Sequence, residues 1–184
     1  MPKPLSSLHE PDERFQHLSF HDQVAGHTRP IRADDLHHEA SSIQLRSTVP
    51  PEIRNQFDVA RNAYLYSWFV YDFVILAEQH SYIVLEMALK HRARSEGLTR
   101  ERTLKPYLQL AIKRGWLCGK DLEIRGGPTA RPMSFMDELP RLRDRLVHGN
   151  VHLSPEFTLV MMRKCAELVN ALFVEKPEPT DSVA

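Results

Sequence analysis

Arg143 and His148 stand five positions apart within the run Arg143-Asp144-Arg145-Leu146-Val147-His148-Gly149-Asn150, and together they offer the most specific chemistry in the chain. A histidine exchanges its proton near neutral pH, so His148 is suited to general acid or base work. An arginine keeps its charge and presents a planar fork of donors that matches phosphate oxygens, which suits Arg143 to stabilising an anion. Asp144 is placed to orient either group through a hydrogen bond. On an ideal helix, residues five apart point about 140° from each other. The pair therefore converges only if His148 lies at the fraying end of its helix, and Gly149 puts it there. The same residues also admit a purely structural reading. Arg143 and Arg145 would be solvated arginines, and His148 would cap the negative end of the helix, paired with Asp144 at i,i+4.

The longer run Leu139-Pro140-Arg141-Leu142-Arg143-Asp144-Arg145-Leu146-Val147-His148-Gly149-Asn150 resembles the signature of HEPN domains. In these helical bundles an Arg, usually followed by a polar residue, precedes a His late in the chain. The upstream stretch Leu85-Glu86-Met87-Ala88-Leu89-Lys90 is similar to the long second helix of such domains, and the resemblance covers roughly residues 51–175. It implies a metal-independent endoribonuclease of toxin–antitoxin or phage-defence type, working without a cofactor. His148 would be the acid/base and Arg143 the phosphate-stabilising group, with Asp144 supporting them. Arg141, Arg145 and Asn150 would contact the RNA. Two protomers commonly face each other in the family, so the resemblance also implies a homodimer with a composite Arg/His cleft, and an antitoxin or other regulatory protein as a partner. The competing class is a non-catalytic HEPN-like interaction module that binds a partner protein or nucleotide. Some HEPN toxins carry a Tyr two residues after the His, where a nucleotidyltransferase modifies them. Asn150 occupies that position here, so neither that regulation nor that partner carries over. The residue after the Arg is often Asn in the family, whereas Asp144 places an acid beside the phosphate site.

Bulk composition sets limits on these expectations. The 184 residues suffice for one domain with a core, and 42% hydrophobic with 26% charged residues is the balance of a globular soluble protein. Net charge is zero, so no whole-protein field draws the chain to nucleic acid. Residues 98–164 nevertheless hold thirteen Lys or Arg against seven acids, a local surplus of six. Cys118 and Cys165 lie far apart, which argues against a disulfide framework or a zinc site and fits a reducing compartment. The first 30 residues lack an apolar signal core, and the apolar stretch Ala63–Ala77 is too short and polar for a membrane span. A cytoplasmic protein is expected. Metal binding by His17 and His21, His37-His38, or His148 and His152 is disfavoured by the missing acids and by Gly149 within the last pair.

The elements that must position the motif follow from periodicity and punctuation. The fold class expected is all-α, a four- to five-helix up-and-down bundle. Residues 1–50 hold six of the ten histidines and few large apolar residues in any period, which predicts an extended or partly ordered arm. Within it, Ser42–Val49 alternates polar and apolar as a short strand, an extended pack-down or a plain linker would. Residues 51–175 form the helical domain and 176–184 a flexible tail. Pro50-Pro51 opens a helical stretch to Ser95 that is too long for one rod in a small domain, so a break is expected near Ser67–Asp72. Glu78, Tyr82 and Glu86 share a face of its second half and suggest a polar seam inside the bundle, with lining of the cleft as the alternative. The aromatic group from Tyr64 to Phe73 reads as core and dimer surface. A shorter helix is expected from Thr103 to Arg114 with Leu104, Leu108 and Ile112 inward, and another from Ser134 to His148, regular from about Glu138 because of Pro140. The last helix is expected from Pro155 to Val174, with Ser154 as cap. Its two apolar stripes, Phe157/Met161/Cys165/Leu168/Leu172 and Met162/Ala166/Val169/Phe173, exceed what one face of a monomeric bundle needs.

Overall fold

The computed structural model describes residues 3–22, 26–124, 133–138 and 154–174. These residues are mostly helical, with two small antiparallel sheets. The helices are α1 (Ala33–Ser42), α2 (Pro51–Tyr66), α3 (Phe73–Ser95), α4 (Leu104–Lys113) and α5 (Pro155–Leu172). The strands are β1 (Ser19–Asp22) paired with β2 (His27–Pro30), and β3 (Glu123–Ile124) paired with β4 (Met133–Ser134). No described helix is long and apolar enough to cross a membrane.

The helical stretch from Pro51 breaks where the sequence predicts, between Tyr66 and Phe73. Ser67 is buried, and its hydroxyl donates to the Tyr64 carbonyl at 2.6 Å. That side-chain bond competes for the carbonyls that a continuing helix would use. The chain then turns tightly, and α3 runs back against α2. Glu52 and His91 lie 3.7 Å apart at one end of this hairpin, and the His80 ring meets the Gln56 amide oxygen at 3.0 Å further along.

Helix α3 is the hub, packing on α2, α4 and α5. Its inward arc carries Val74, Ala77, Val84, Leu85, Ala88 and Leu89, all buried. Small alanines among larger residues let the neighbouring helices approach closely. Gly97 ends α3 with φ of 75°, the amide of Leu98 donating to the Ala93 carbonyl and that of Gly97 to Arg94. Gly115 ends α4 the same way, with φ of 67° and Trp116 donating to Ala111. Left-handed backbone is what glycine tolerates best, so both helices stop where their sequences place it.

The first 50 residues carry more structure than an extended or partly ordered arm. Phe15, Leu36, Ala40, Ile43 and Val49 all enter the core. The Phe15 ring lies 5.2 Å from each of the Trp68 and Tyr71 rings. Asp12 accepts from the Tyr71 amide at 3.0 Å and from the Arg14 guanidinium, while Arg14 also reaches Asp72 at 2.8 Å. Asp35 starts α1 by accepting from the Arg32 amide at 2.8 Å and from both terminal nitrogens of Arg29. The Ser42–Val49 stretch forms no strand; past the end of α1 it runs irregularly along the bundle. Asn170 on α5 fastens it, accepting from the Arg46 amide at 2.8 Å and donating to the Gln44 carbonyl at 3.1 Å.

Other departures are smaller. On α4 the inward set is Leu104, Tyr107, Leu108 and Ala111, and Ile112 faces out. Tyr107 wins the inward position because the helix rotates to bury its ring. Residues 135–138 are helical, as the expected start at Ser134 requires, and Pro140 and the remainder of that helix up to His148 lie outside the described residues. Ser154 offers α5 its carbonyl, not its hydroxyl. Both stripes of α5 are occupied within the chain, since Met161, Met162, Cys165, Ala166, Leu168, Val169 and Leu172 are all buried. Helix α3 covers one side, and residues 39–46 and 119–122 approach from the others. The second stripe is therefore no free surface for a partner. The tail 176–184 lies outside the described residues.

Candidate functional site

The whole motif, Arg141, Arg143, Asp144, Arg145, His148 and Asn150, lies outside the described residues. The structure brings none of these together and separates none. It does give the two flanks of residues 139–153 and the wall to which both are fixed.

The upstream flank is the helical turn 135–138. Phe135 is fully buried, and its ring meets that of Tyr82 edge-on, with centroids 6.0 Å apart. The downstream flank is the start of α5. Thr158, in its first turn, is also fully buried, and its hydroxyl donates to Glu78 Oε2 at 3.3 Å. Glu78 and Tyr82 are neighbours on α3, one turn apart, and the Tyr82 hydroxyl donates to Glu78 Oε1 at 2.6 Å. Both ends of the motif-bearing segment are thus fastened to one turn of α3.

The centre of this wall is a carboxylate with 1% of its surface exposed. A buried carboxylate is costly unless hydrogen bonds or a counter-charge compensate it. The two hydroxyls aimed at Glu78 are part of that compensation, and the 2.6 Å phenol contact has the length of a charge-assisted bond. Its burial keeps Glu78 itself from meeting a substrate. Its chemistry is that of an anchor, a fixed acceptor for the hydroxyls of Tyr82 and Thr158.

The polar seam expected on α3 is therefore half present. Glu78 and Tyr82 join as their four-residue spacing requires, whereas Glu86 is only half-buried and makes no hydrogen bond to either among the described residues. Thr158 was missed by sequence reasoning. The signal was available, because a hydroxyl between Phe157 and Leu159 on a strongly apolar helix calls for a buried acceptor. Cys165, one face further along α5, is fully buried. Burial first, and the nearby Glu78 second, push its thiol well above the ordinary cysteine range. It stays protonated and is no nucleophile.

Among the described residues no three His, Cys, Asp or Glu side chains gather where they could hold a metal ion. His21 contacts Thr28 Oγ1 at 3.3 Å across the β1–β2 hairpin, and His37 and His38 are exposed on α1. His148 and His152 lie outside the described residues. No family model matches the chain, and no curated protein or solved structure does.

Proposed function

We propose that this chain is a cytoplasmic HEPN-like helical bundle acting as a metal-independent endoribonuclease, with Arg143 and His148 at its active site. The observation that carries the reading is the fastening of both flanks of residues 139–153 to Glu78 and Tyr82 on α3. A catalytic run needs a fixed base, because small misplacements of catalytic groups cost large factors in rate. In the proposed reaction His148 takes the proton of a ribose 2′-OH as that oxygen attacks the adjacent phosphorus. The bond from phosphorus to the 5′-oxygen breaks, and the leaving oxygen takes up a proton. Arg143 neutralises the charge that builds on the phosphoryl oxygens. Asp144 orients the pair, and Arg141, Arg145 and Asn150 hold the flanking RNA.

A second copy completes the site in this reading. Support for a dimer does not come from α5, whose apolar residues are buried in the monomer. It comes from the α2–α3 hairpin, where Val59, Tyr66, Leu76 and Ile83 are each about half exposed. An antitoxin or other regulatory protein is the further partner expected.

The test is cleavage of total RNA by the purified protein in the presence of a chelator, comparing wild type with His148→Ala and Arg143→Ala. Cleavage by the wild type, with a loss of at least ~100-fold in each variant, is expected. RNA that stays equally intact with all three proteins refutes the nuclease and leaves the non-catalytic interaction module.

A further inference from the structure

We infer that the outward face of α4, with the turns that bound it, is a binding surface for the phosphate backbone of RNA. It would hold the polymer while the Arg143–His148 run acts on it, and the choice of RNA rests on the nuclease reading. The charge is concentrated here. Residues 90–120 contain nine Lys or Arg and two acids, a surplus of seven in a chain of zero net charge.

Both acids are already engaged on the α3 side. Glu101 pairs with Lys90 at 2.6 Å and with Arg94 at 2.9 Å. Glu96 takes Arg92 at 3.3 Å and the Trp116 indole N–H at 2.8 Å. That leaves Arg100, Arg102, Lys105, Lys113, Arg114 and Lys120. Among the described residues none of these six forms an ion pair.

Their arrangement follows from the helix. Leu104, Tyr107, Leu108 and Ala111 turn inward. Lys105, Gln109 and Lys113 therefore recur every four residues along the opposite side, and all three are exposed. Arg100 and Arg102 precede the helix, and Arg114 caps its far end. A helix of ten residues is about 15 Å long, against about 3.4 Å of duplex axis per phosphate of one strand, so the row spans roughly four phosphates.

The helix dipole gives no reason for this placement. The first turn of α4 carries no acid, and Arg100, Arg102 and Lys105 crowd the end whose dipole is positive. Cations there oppose the helix dipole, and an anionic ligand reverses the sign of that interaction. The surface is also firm. The Gly115 cap, the Trp116–Glu96 bond and the Arg92 guanidinium 5.7 Å over the Trp116 ring fix α4 to α3.

Nucleic acid fits this face better than an anionic membrane. Membrane-surface helices bury a broad apolar face with large side chains, whereas the large apolar side chain exposed on described α4 is Ile112 alone, at 39%. The three arginines add forked donors suited to phosphate.

The experiment measures fluorescence anisotropy of a labelled single-stranded RNA of about 20 nucleotides across a salt series. Wild type, Lys105→Gln/Lys113→Gln and the remote control Arg46→Gln are compared, each checked for folding by circular dichroism. Removing two phosphate contacts should weaken binding about tenfold at low salt. The slope of log affinity against log salt should shrink by about 1.4, at ~0.7 per contact for single strands. Arg46→Gln should bind as wild type does. Unchanged affinity and slope in the double variant overturns the inference, as does failure of the wild type to bind RNA. Binding to phosphatidylserine vesicles without binding to RNA overturns it too. RNA binding that depends on α4, without cleavage by any protein, refutes the nuclease and leaves this surface standing. Cleavage and binding both indifferent to the α4 variants do the reverse.

Discussion

Asp12→Ala should destabilise the whole protein at neutral pH, and the loss should fade in acid. Asp12 joins the N-terminal segment to the turn between α2 and α3. It accepts from the Tyr71 amide at 3.0 Å, from the Arg14 amide at 3.1 Å, and from two nitrogens of the Arg14 guanidinium, each at 2.9 Å. Arg14 is about half exposed, so the ion pair contributes on the order of 0.5 kcal/mol after solvent screening. The Tyr71 amide is partly buried, and leaving it without its acceptor costs roughly 1–1.5 kcal/mol. With the Arg14 amide the total is about 2 kcal/mol, which corresponds to a Tm lower by roughly 5 °C for a chain of this size. The pH dependence has a definite sign. The Arg14 guanidinium, aided by the Tyr71 amide, holds the Asp12 carboxyl far below the ordinary carboxylate range. A group depressed in the folded state contributes stability that is fully present above its unfolded pKa near 4 and is lost as the pH falls below it. The gap between wild type and Asp12→Ala should thus be widest from about pH 5 upward and narrow steadily toward pH 3. Urea unfolding at a series of pH values measures it, with Asp12→Asn as the control that keeps an acceptor for Tyr71 and removes the charge. Equal stability of wild type and Asp12→Ala at pH 7 would show that residues 3–22 are not part of the cooperative fold. A gap independent of pH would show that the carboxylate charge has no share in it.

Two further outcomes follow from α5 and its contacts with α3. In the native protein at pH 8 a chromogenic disulfide reagent should titrate one thiol quickly, the exposed Cys118, and the buried, protonated Cys165 only after denaturation; rapid release of two equivalents would contradict the packing of α5 on α3. In urea unfolding, Tyr82→Phe should cost more than Thr158→Val, about 1.5 against 0.5 kcal/mol, because the phenol sits at 2.6 Å from Glu78 and the threonine hydroxyl at 3.3 Å. The reverse order would mean that the phenol is not the main hydroxyl donor to Glu78.

Helices α2, α3, α4 and α5 were legible because their signals are local. Pro51 and Pro155 open α2 and α5, Gly97 follows the end of α3, and the excessive length of the stretch from Pro51 to Ser95 announces the break at Ser67. The order in the first 50 residues was not legible, because it is supplied from far away. Asp12 reaches Tyr71 across 59 positions, and Asn170 reaches back to Arg46 across 124. No window of composition or periodicity reports such partners. The two stripes of α5 misled for the same reason. Periodicity shows how much of a helix is apolar but not what covers it, and part of the cover, residues 39–46, comes from the segment that reads as an arm.

The candidate site divides along the same line. The types and spacing of Arg143, Asp144 and His148 state a chemistry, and the four-residue step from Glu78 to Tyr82 states a shared helix face. Neither states that the two belong together. What the structure adds is Thr158, 80 positions from Glu78, and Phe135 against Tyr82, so that the described flanks of residues 139–153 meet the same turn of α3. A buried carboxylate held by two hydroxyls would be a strange ornament on a bundle that needed only apolar packing, since an apolar side chain of similar volume there is often no less stable. Its position between the two fastenings of the motif gives it a reason. The burial of Glu78 is best understood as a cost accepted to hold Tyr82 and Thr158 in place, and with them the two described flanks of residues 139–153.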